Sequence, residues 1–340
     1  MAERPARRRP PRRRALVAAV ALLLALGACT ARFQPMGEPV AIPQMVERTL
    51  VAADGYTLPT RVWLPPGGAP QAVVLALHGF NDYSNAFDGA GKAFAAAGIV
   101  TYAYDQRGFG ATRDPGIWPG AETLIADLRT AIGVLRARHP GLPLYVLGES
   151  MGGAVVLATL DRADAPAIDG AILVAPAVWG TETMGFFPRA ALWLSYNLVP
   201  GWTVTAPREL NIRPSDNIEM LRALGRDPLV IKGSRVDTLH GLTELMGRAF
   251  DATARLETPA LVLYGAREEV LPPRPVKGAM ERFDATGRHR VAVYPDGYHM
   301  LLRDLQGHVV MADIVQWIGD PGRPLASGAD RAPRTLVAER

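Results

Sequence analysis

Gly148-Glu149-Ser150-Met151-Gly152 constrains this chain more than any other stretch. It has the form G-x-S-x-G, which fits a serine at the tip of a sharp strand-to-helix turn. Such a serine sits in strained backbone, and the flanking glycines let strand and helix pass close together. The neighbours agree with that geometry. Leu144-Tyr145-Val146-Leu147 is a short apolar, β-prone run, and residues 153–158 read as a small-residue helix packed on it. With 34 glycines in 340 residues and six serines, the pattern would arise by accident roughly 0.06 times.

The rest of the chain supplies a sheet for this turn. Residues 46–51 and 57–64 are strand-like runs around Ala53-Asp54-Gly55, a hairpin signal. Residues 72–77 form a continuous apolar run, as in a strand buried on both faces. Helix-like and strand-like segments then alternate: 86–97, 99–104, a stripe of Leu124, Leu128, Ile132 and Leu135, then 144–147 and 171–174. Strands at 260–264 and 291–294 and a helix over about 304–317 complete the set. This order predicts an α/β fold, a mostly parallel sheet flanked by helices, built from residues 46–176 and 259–318. Residues 177–258 lack any clear strand and predict a helical cap inserted after the sixth core strand. Its aromatics include Trp179, Phe186, Phe187, Trp193, Tyr196 and Trp202. Most suit the cap's own core, but so small an insertion has little interior, and some must face the sheet, a ligand or a membrane. Residues 31–44 carry three prolines and no periodicity, and with Cys29 and Thr30 they read as a tether over 29–45. The Pro-, Gly- and Arg-rich tail, 319–340, reads as disordered.

Charge and cysteine usage bear on location. The formal net charge is +4, but residues 1–28 alone hold +6, leaving −2 from Cys29 onward, so nucleic-acid binding gains no support. Arg7-Arg8-Arg9 and Arg12-Arg13-Arg14 precede a 12-residue apolar run, 15–26, too short for a comfortable membrane span but right for a signal peptide over 1–28. The run ends in Leu26-Gly27-Ala28-Cys29, which resembles a bacterial lipobox. Cys29 is the one cysteine, so no intramolecular disulfide and no cysteine-based metal site can form. Lipidation at Cys29 would place the protein in a bacterial cell envelope, anchored at the periplasmic or outer surface.

A serine hydroxyl needs a base, and the base an orienting acid. Of six histidines, His78 and His139 precede Ser150, His240 lies in the cap, His289 sits at the wrong end of the last strand, and His308 falls inside the final helix. His299 follows the last strand in Pro295-Asp296-Gly297-Tyr298-His299, beyond the carboxyl ends of the strands where ligands gather. The acid should follow the preceding strand, in Gly265-Ala266-Arg267-Glu268-Glu269; either glutamate could serve, with Asp251 and Asp296 weaker candidates. An oxyanion needs preorganised N–H donors. Met151, the residue after the serine, offers one, and Phe80, in the loop Leu77-His78-Gly79-Phe80, the other, with His78 hydrogen-bonding that loop.

Further segments carry a resemblance. His78-Gly79-Phe80-Asn81, Asp105-Gln106-Arg107-Gly108-Phe109-Gly110, Gly148 to Gly153, Asp227-Pro228-Leu229, Gly265-Ala266-Arg267-Glu268 and Gly297-Tyr298-His299 together resemble the monoglyceride lipase and lysophospholipase group of α/β-hydrolases, also called serine aminopeptidase-like hydrolases. The resemblance spans about residues 46–316. It implies an α/β-hydrolase fold and a Ser150-Glu268-His299 triad, with glutamate where the family usually has aspartate and Phe109 where it often has histidine. It implies a serine ester hydrolase working through an acyl-enzyme, with no metal or cofactor and no obligate protein partner, and the apolar cap and lipid anchor favour single-chain lipid esters such as monoacylglycerols or lysophospholipids. An amidase or peptidase of the same fold is the first alternative. A non-catalytic envelope lipid-binding lipoprotein is the second, and it would have no need of nucleophile, base and acid together.

Overall fold

The computed structural model describes residues 30–205 and 211–334. The signal-like segment and Cys29 lie outside the described residues. The chain forms β1 (Gln44–Val46), β2 (Thr49–Val51), β3 (Thr57–Trp63), β4 (Ala72–Leu77), α1 (Asp88–Ala96), β5 (Ile99–Tyr104), α2 (Ala121–Arg138), β6 (Leu144–Glu149), α3 (Met151–Leu160) and β7 (Gly170–Val174). It continues through α4 (Phe186–Leu198), β8 (Thr203–Val204), α5 (Ile218–Arg226), β9 (Ser234–Arg235), α6 (Val236–Ala252), β10 (Ala260–Gly265), α7 (Pro273–Thr286), β11 (Arg290–Tyr294) and α8 (Gly307–Gly319).

Nine strands make one sheet in the order β1-β2-β3-β5-β4-β6-β7-β10-β11. From β5 to β11 every pairing is parallel; β1 to β3 close the other edge antiparallel. The unbroken apolar runs have a simple cause: β4, β5, β6, β7 and β10 are buried at every position because helices cover both faces. Alternate residues of β4 serve opposite faces. Val73, Leu75 and Leu77 pack with α2, α3, α6 and α7, while Ala72, Val74 and Ala76 pack with α1 and α8. The sheet and its flanking helices are those of an α/β-hydrolase.

The inserted segment differs from a purely helical cap in two ways. β8 and β9 form a short antiparallel pair within it. α6, its last helix, is a layer of the core: Leu245, Ala249 and Ala252 are fully buried with α3. Small residues bring α6 this close. A Cβ on Gly180 would lie 2.2 Å from Gly247 Cα, and one on Gly241 would lie 2.2 Å from the Trp118 indole nitrogen. By contrast, neither α4 nor α5 has a buried residue. The cap is latched to the loop after β4. The Tyr83 hydroxyl donates to Asp227 (2.7 Å), Ile231 N–H donates to the Asn81 carbonyl (2.9 Å), and the Asn81 amide donates to Ser234 (2.8 Å).

Both terminal expectations are corrected over the described residues. Within the supposed tether, residues 32–41 run along the core. Arg32 N–H donates to Asp237, Gln34 N–H to the Trp118 carbonyl, Met36 N–H to Thr123, and Val40 N–H to the Ala53 carbonyl. In the supposed disordered tail, Leu325 and Ala329 are buried against β11 and α8, and Asp330 pairs with Arg290 at 2.6 Å. Proline and glycine content hid these few long-range anchors, which leave no periodic signature.

Candidate active site

Ser150 stands between the end of β6 and the start of α3 with φ +53° and ψ −115°, a left-handed backbone that costs of order 1–3 kcal/mol and must be held by its surroundings. Its N–H donates to the Val174 carbonyl (2.9 Å), and its carbonyl accepts from Ala177 N–H (3.0 Å). The elbow glycines are sterically required. A Cβ on Gly148 would lie 2.5 Å from the Gly152 backbone, and one on Gly152 would lie 2.1 Å from the Leu77 carbonyl oxygen. Thus Gly152 lets α3 approach the neighbouring strand β4 as well as its own.

The loops after β10 and β11 nest against each other. A Cβ on Gly265 would lie 2.2 Å from the Gly297 carbonyl oxygen, and Arg267 N–H donates to that oxygen at 2.9 Å. This packing sets His299 and Glu268 face to face, with Nδ1 2.7 Å from Oε2 and both side chains buried. The other carboxylate oxygen accepts from the N–H groups of Val270 (2.7 Å) and Leu271 (3.0 Å). Glu268 therefore faces His299 with an oxygen that accepts a hydrogen bond from Nδ1–H, which holds the proton on Nδ1 and leaves Nε2 as the basic nitrogen. Glu269 turns outward and accepts from Arg213 N–H instead. Asp296 pairs with Arg267, and Asp251 lies beside Arg282, both away from His299. Burial works against a charged His299, but Glu268, with Glu149 behind it, more than offsets this, and its pKa is raised.

Ser150 and His299 line one cavity of about 480 Å³, together with Gly79, Phe80 and Met151. Gly79 lies against the serine: a Cβ there would be 3.3 Å from Ser150 Cβ. His78 is buried and structural, as its place in the loop suggested. It accepts from Gln106 N–H at Nε2 (2.9 Å) and so donates from Nδ1 to the Gly79 carbonyl (2.8 Å). Phe109 wedges edge-on under both His78 (5.7 Å) and Phe80 (5.6 Å), which gives the aromatic at that position a packing role. The rest of the cavity wall is mainly apolar, with Trp179, Met184, Leu192, Leu242 and Met246 from the cap and α6.

These features decide the assignment, and comparison with known proteins agrees. Residues 68–306 match the family described as serine aminopeptidase, S33. The chain belongs to that family. Among relatives, this family member is 27% identical to a monoacylglycerol lipase of Mycolicibacterium smegmatis, over 80% of this chain and 96% of that one. It is 24% identical to human monoglyceride lipase, over 84% and 94%. Among solved structures, the monoacylglycerol lipase of Paleococcus ferrophilus superposes with a TM-score of 0.63 at 22% identity, covering 77% of this chain and 98% of that one. The fold, the triad-like constellation and these relatives are those of a serine ester hydrolase.

The family member's cavity also holds a polar cluster absent from the sequence reading. Arg303 donates to Asp82 (2.7 Å) and to Glu149 (3.2 Å), and all three line the cavity. Burial pushes the Glu149 carboxyl up, against the pull of Arg303. Glu149 was visible as the x of the elbow, and Asp82 and Arg303 each lie a few residues past a motif histidine, but nothing local marks the three as partners. Among the described residues, no cluster of His, Cys, Asp and Glu could hold a metal ion, and no helix is long and apolar enough to cross a membrane.

Proposed function

We propose that this protein is a membrane-tethered hydrolase of single-chain lipid esters, monoacylglycerols or lysophospholipids, acting through an acyl-enzyme. One observation carries the reading: the buried His299–Glu268 pair and Ser150 open into a cavity of about 480 Å³ walled by apolar side chains, with one polar cluster beside the nucleophile. The apolar wall suits an acyl chain; Asp82, Glu149 and Arg303 suit a hydroxylated or charged headgroup.

In this mechanism Ser150 Oγ attacks the ester carbonyl as His299 Nε2 takes its proton. The N–H groups of Phe80 and Met151 bind the oxyanion, each donor contributing about 3–4 kcal/mol in such sites. His299 returns the proton to the leaving alcohol, and Glu268 stabilises the imidazolium between these steps. Water activated by His299 then attacks the acyl-enzyme and releases the fatty acid. The relatives' names support a lipid ester, and the paucity of charge along the cavity wall disfavours a peptide.

A hydrolysis panel tests the substrate reading: p-nitrophenyl acyl esters, monoacylglycerols, lysophospholipids and aminoacyl amides. Single-chain lipid esters should give the highest kcat/KM. Faster turnover of aminoacyl amides would replace this reading with the peptidase one. The tether is tested apart from the chemistry. Cys29→Ser should shift the chain out of the membrane fraction and leave hydrolysis of dissolved short-chain esters nearly unchanged. Metabolic labelling with a fatty-acid analogue that leaves Cys29 unmarked would remove the anchor.

A further inference from the structure

The exposed face of the cap and the start of the described chain meet at one place. α4 buries none of its residues; Phe187 is 81% exposed and Trp193 63%, and Trp202, in the turn that follows, is 62% exposed. On its other side α4 contributes Leu192 to the active-site cavity, so this aromatic face borders the cavity wall. α4 carries no acidic side chain and one cation, Arg189. An apolar face with aromatic rims and a basic residue is the composition that settles at a lipid surface.

The N-terminal strap leads to the same spot. Arg32 N–H is bound to the Asp237 carboxylate at 3.0 Å. Asp237 N–H donates to the Pro200 carbonyl, and Val236 N–H donates to the Trp202 carbonyl, both at 2.9 Å. From Arg32 back to Cys29 is three residues, a reach of at most about 11 Å. An acyl chain on Cys29 would then leave the fold within about 11 Å of the Arg32–Asp237 contact, which adjoins the Trp202 turn.

We propose that α4 and the Trp202 turn dock on the same lipid surface that receives the Cys29 anchor, with residues 30–37 acting as a short strap that fixes the cap against the membrane. This rests on the tethered reading of Cys29. The anchor then orients the enzyme as well as retaining it: a single-chain lipid leaving the bilayer meets the cap side of the cavity without crossing water. The strap, held by hydrogen bonds along residues 32–37, replaces the free tether expected from composition.

The test uses the lipidated full chain reconstituted in phosphatidylethanolamine–phosphatidylglycerol vesicles with brominated acyl chains. Tryptophan fluorescence should be quenched, and Trp193→Phe with Trp202→Phe should remove most of the quenching. Phe187→Ser/Trp193→Ser/Trp202→Ser should lose about tenfold or more on a long-chain monoacylglycerol held in the vesicle, yet keep its rate on dissolved p-nitrophenyl butyrate. Inserting about ten Gly/Ser residues between Thr30 and Ala31 should leave the protein on the vesicle and still lower the vesicle rate several-fold, because the anchor no longer sets the cap's height. Acylated Cys29 without quenching overturns this inference alone, as does a triple variant equally slow on both substrates. A dimer that the triple variant dissociates, with no quenching, would assign the face to a second copy. Unacylated Cys29, read by mass spectrometry of the N-terminal peptide, sinks the tethered reading and this one with it.

Discussion

Replacing Glu268 by glutamine keeps shape and size but should invert the tautomer of His299. One carboxylate oxygen of Glu268 accepts two backbone N–H groups, from Val270 and Leu271, and the other faces His299 Nδ1 at 2.7 Å. A glutamine must place its carbonyl oxygen on the two backbone donors, since its NH₂ cannot accept from them. The NH₂ then points at Nδ1. To meet it, Nδ1 gives up its hydrogen and becomes the acceptor, so the proton moves to Nε2, the nitrogen that must accept from Ser150. The same error in another triad costs about 10⁴ in kcat, which is about 5 kcal/mol of transition-state stabilisation. Here the two backbone donors hold the amide in the wrong orientation, so a loss of that size is expected in p-nitrophenyl butyrate hydrolysis. Thermal unfolding should move by only a few degrees, because every hydrogen bond of the pair is still made. Glu269→Gln, altering an outward carboxylate that meets Arg213 N–H, should change kcat less than about twofold. Should Glu268→Gln keep a hundredth of wild-type kcat, or Glu269→Gln prove the damaging change, the tautomer argument fails.

Other consequences follow from the same geometry. Ser150→Ala and His299→Ala should each lower kcat by three or more orders of magnitude, and the double variant little further, because the two act as a unit; roughly multiplicative losses in ester hydrolysis would contradict this. The raised pKa of His299 stabilises the imidazolium, so the acid limb of kcat/KM should have its midpoint above 6.5 and fall as pH drops through it; Glu268→Gln should move any residual limb downward. The same shift acts oppositely on stability: the pair's contribution is complete below 6.5 and lost as pH rises through the folded value, which urea unfolding across pH would record. Gly265→Ala puts a Cβ 2.2 Å from the Gly297 carbonyl oxygen and should force the acid and base loops apart, lowering kcat more than tenfold with about 1–3 kcal/mol of lost stability in urea unfolding. Arg303→Gln leaves Asp82 and Glu149 without their cation, and should cost about 3–5 kcal/mol at pH 8 and progressively less as pH falls, because burial raises the Glu149 carboxyl and its protonation relieves the uncompensated charge; urea unfolding across pH would read this.

What could be read from the chain in advance was what local sterics enforce. Ser150 was legible because the close approach of strand and helix around its left-handed turn admits no Cβ at Gly148 or Gly152, and His299 because, of the two histidines beyond the last strand, His308 falls inside the final helix. Glu268 and Glu269 were equals as residues, and the family register favoured the first. The physical arbiter is the close nesting of Gly265 on Gly297, which turns the first glutamate inward. α6 read as cap because a helical period states which face is apolar, not which surface covers it; Gly241 on the helix and Gly180 packed against it supply the close fit.

The polar contacts that escaped the sequence are pairings across long stretches of chain. Arg303 stands 221 residues from Asp82 and 154 from Glu149, and Arg32 stands 205 from Asp237. No periodicity announces such a bond, because each end is one polar residue in a loop, at a strand end or at a helix start. In the proposed function these bonds decide what the shared frame is for. The Arg303 cluster sets the one polar end of an otherwise apolar cavity, and the Arg32 contact sets where an N-terminal anchor would leave the fold. The residues of the candidate triad therefore sit in motifs local enough to read from the chain. Substrate and orientation depend on closures that form only when the whole sheet brings distant segments together.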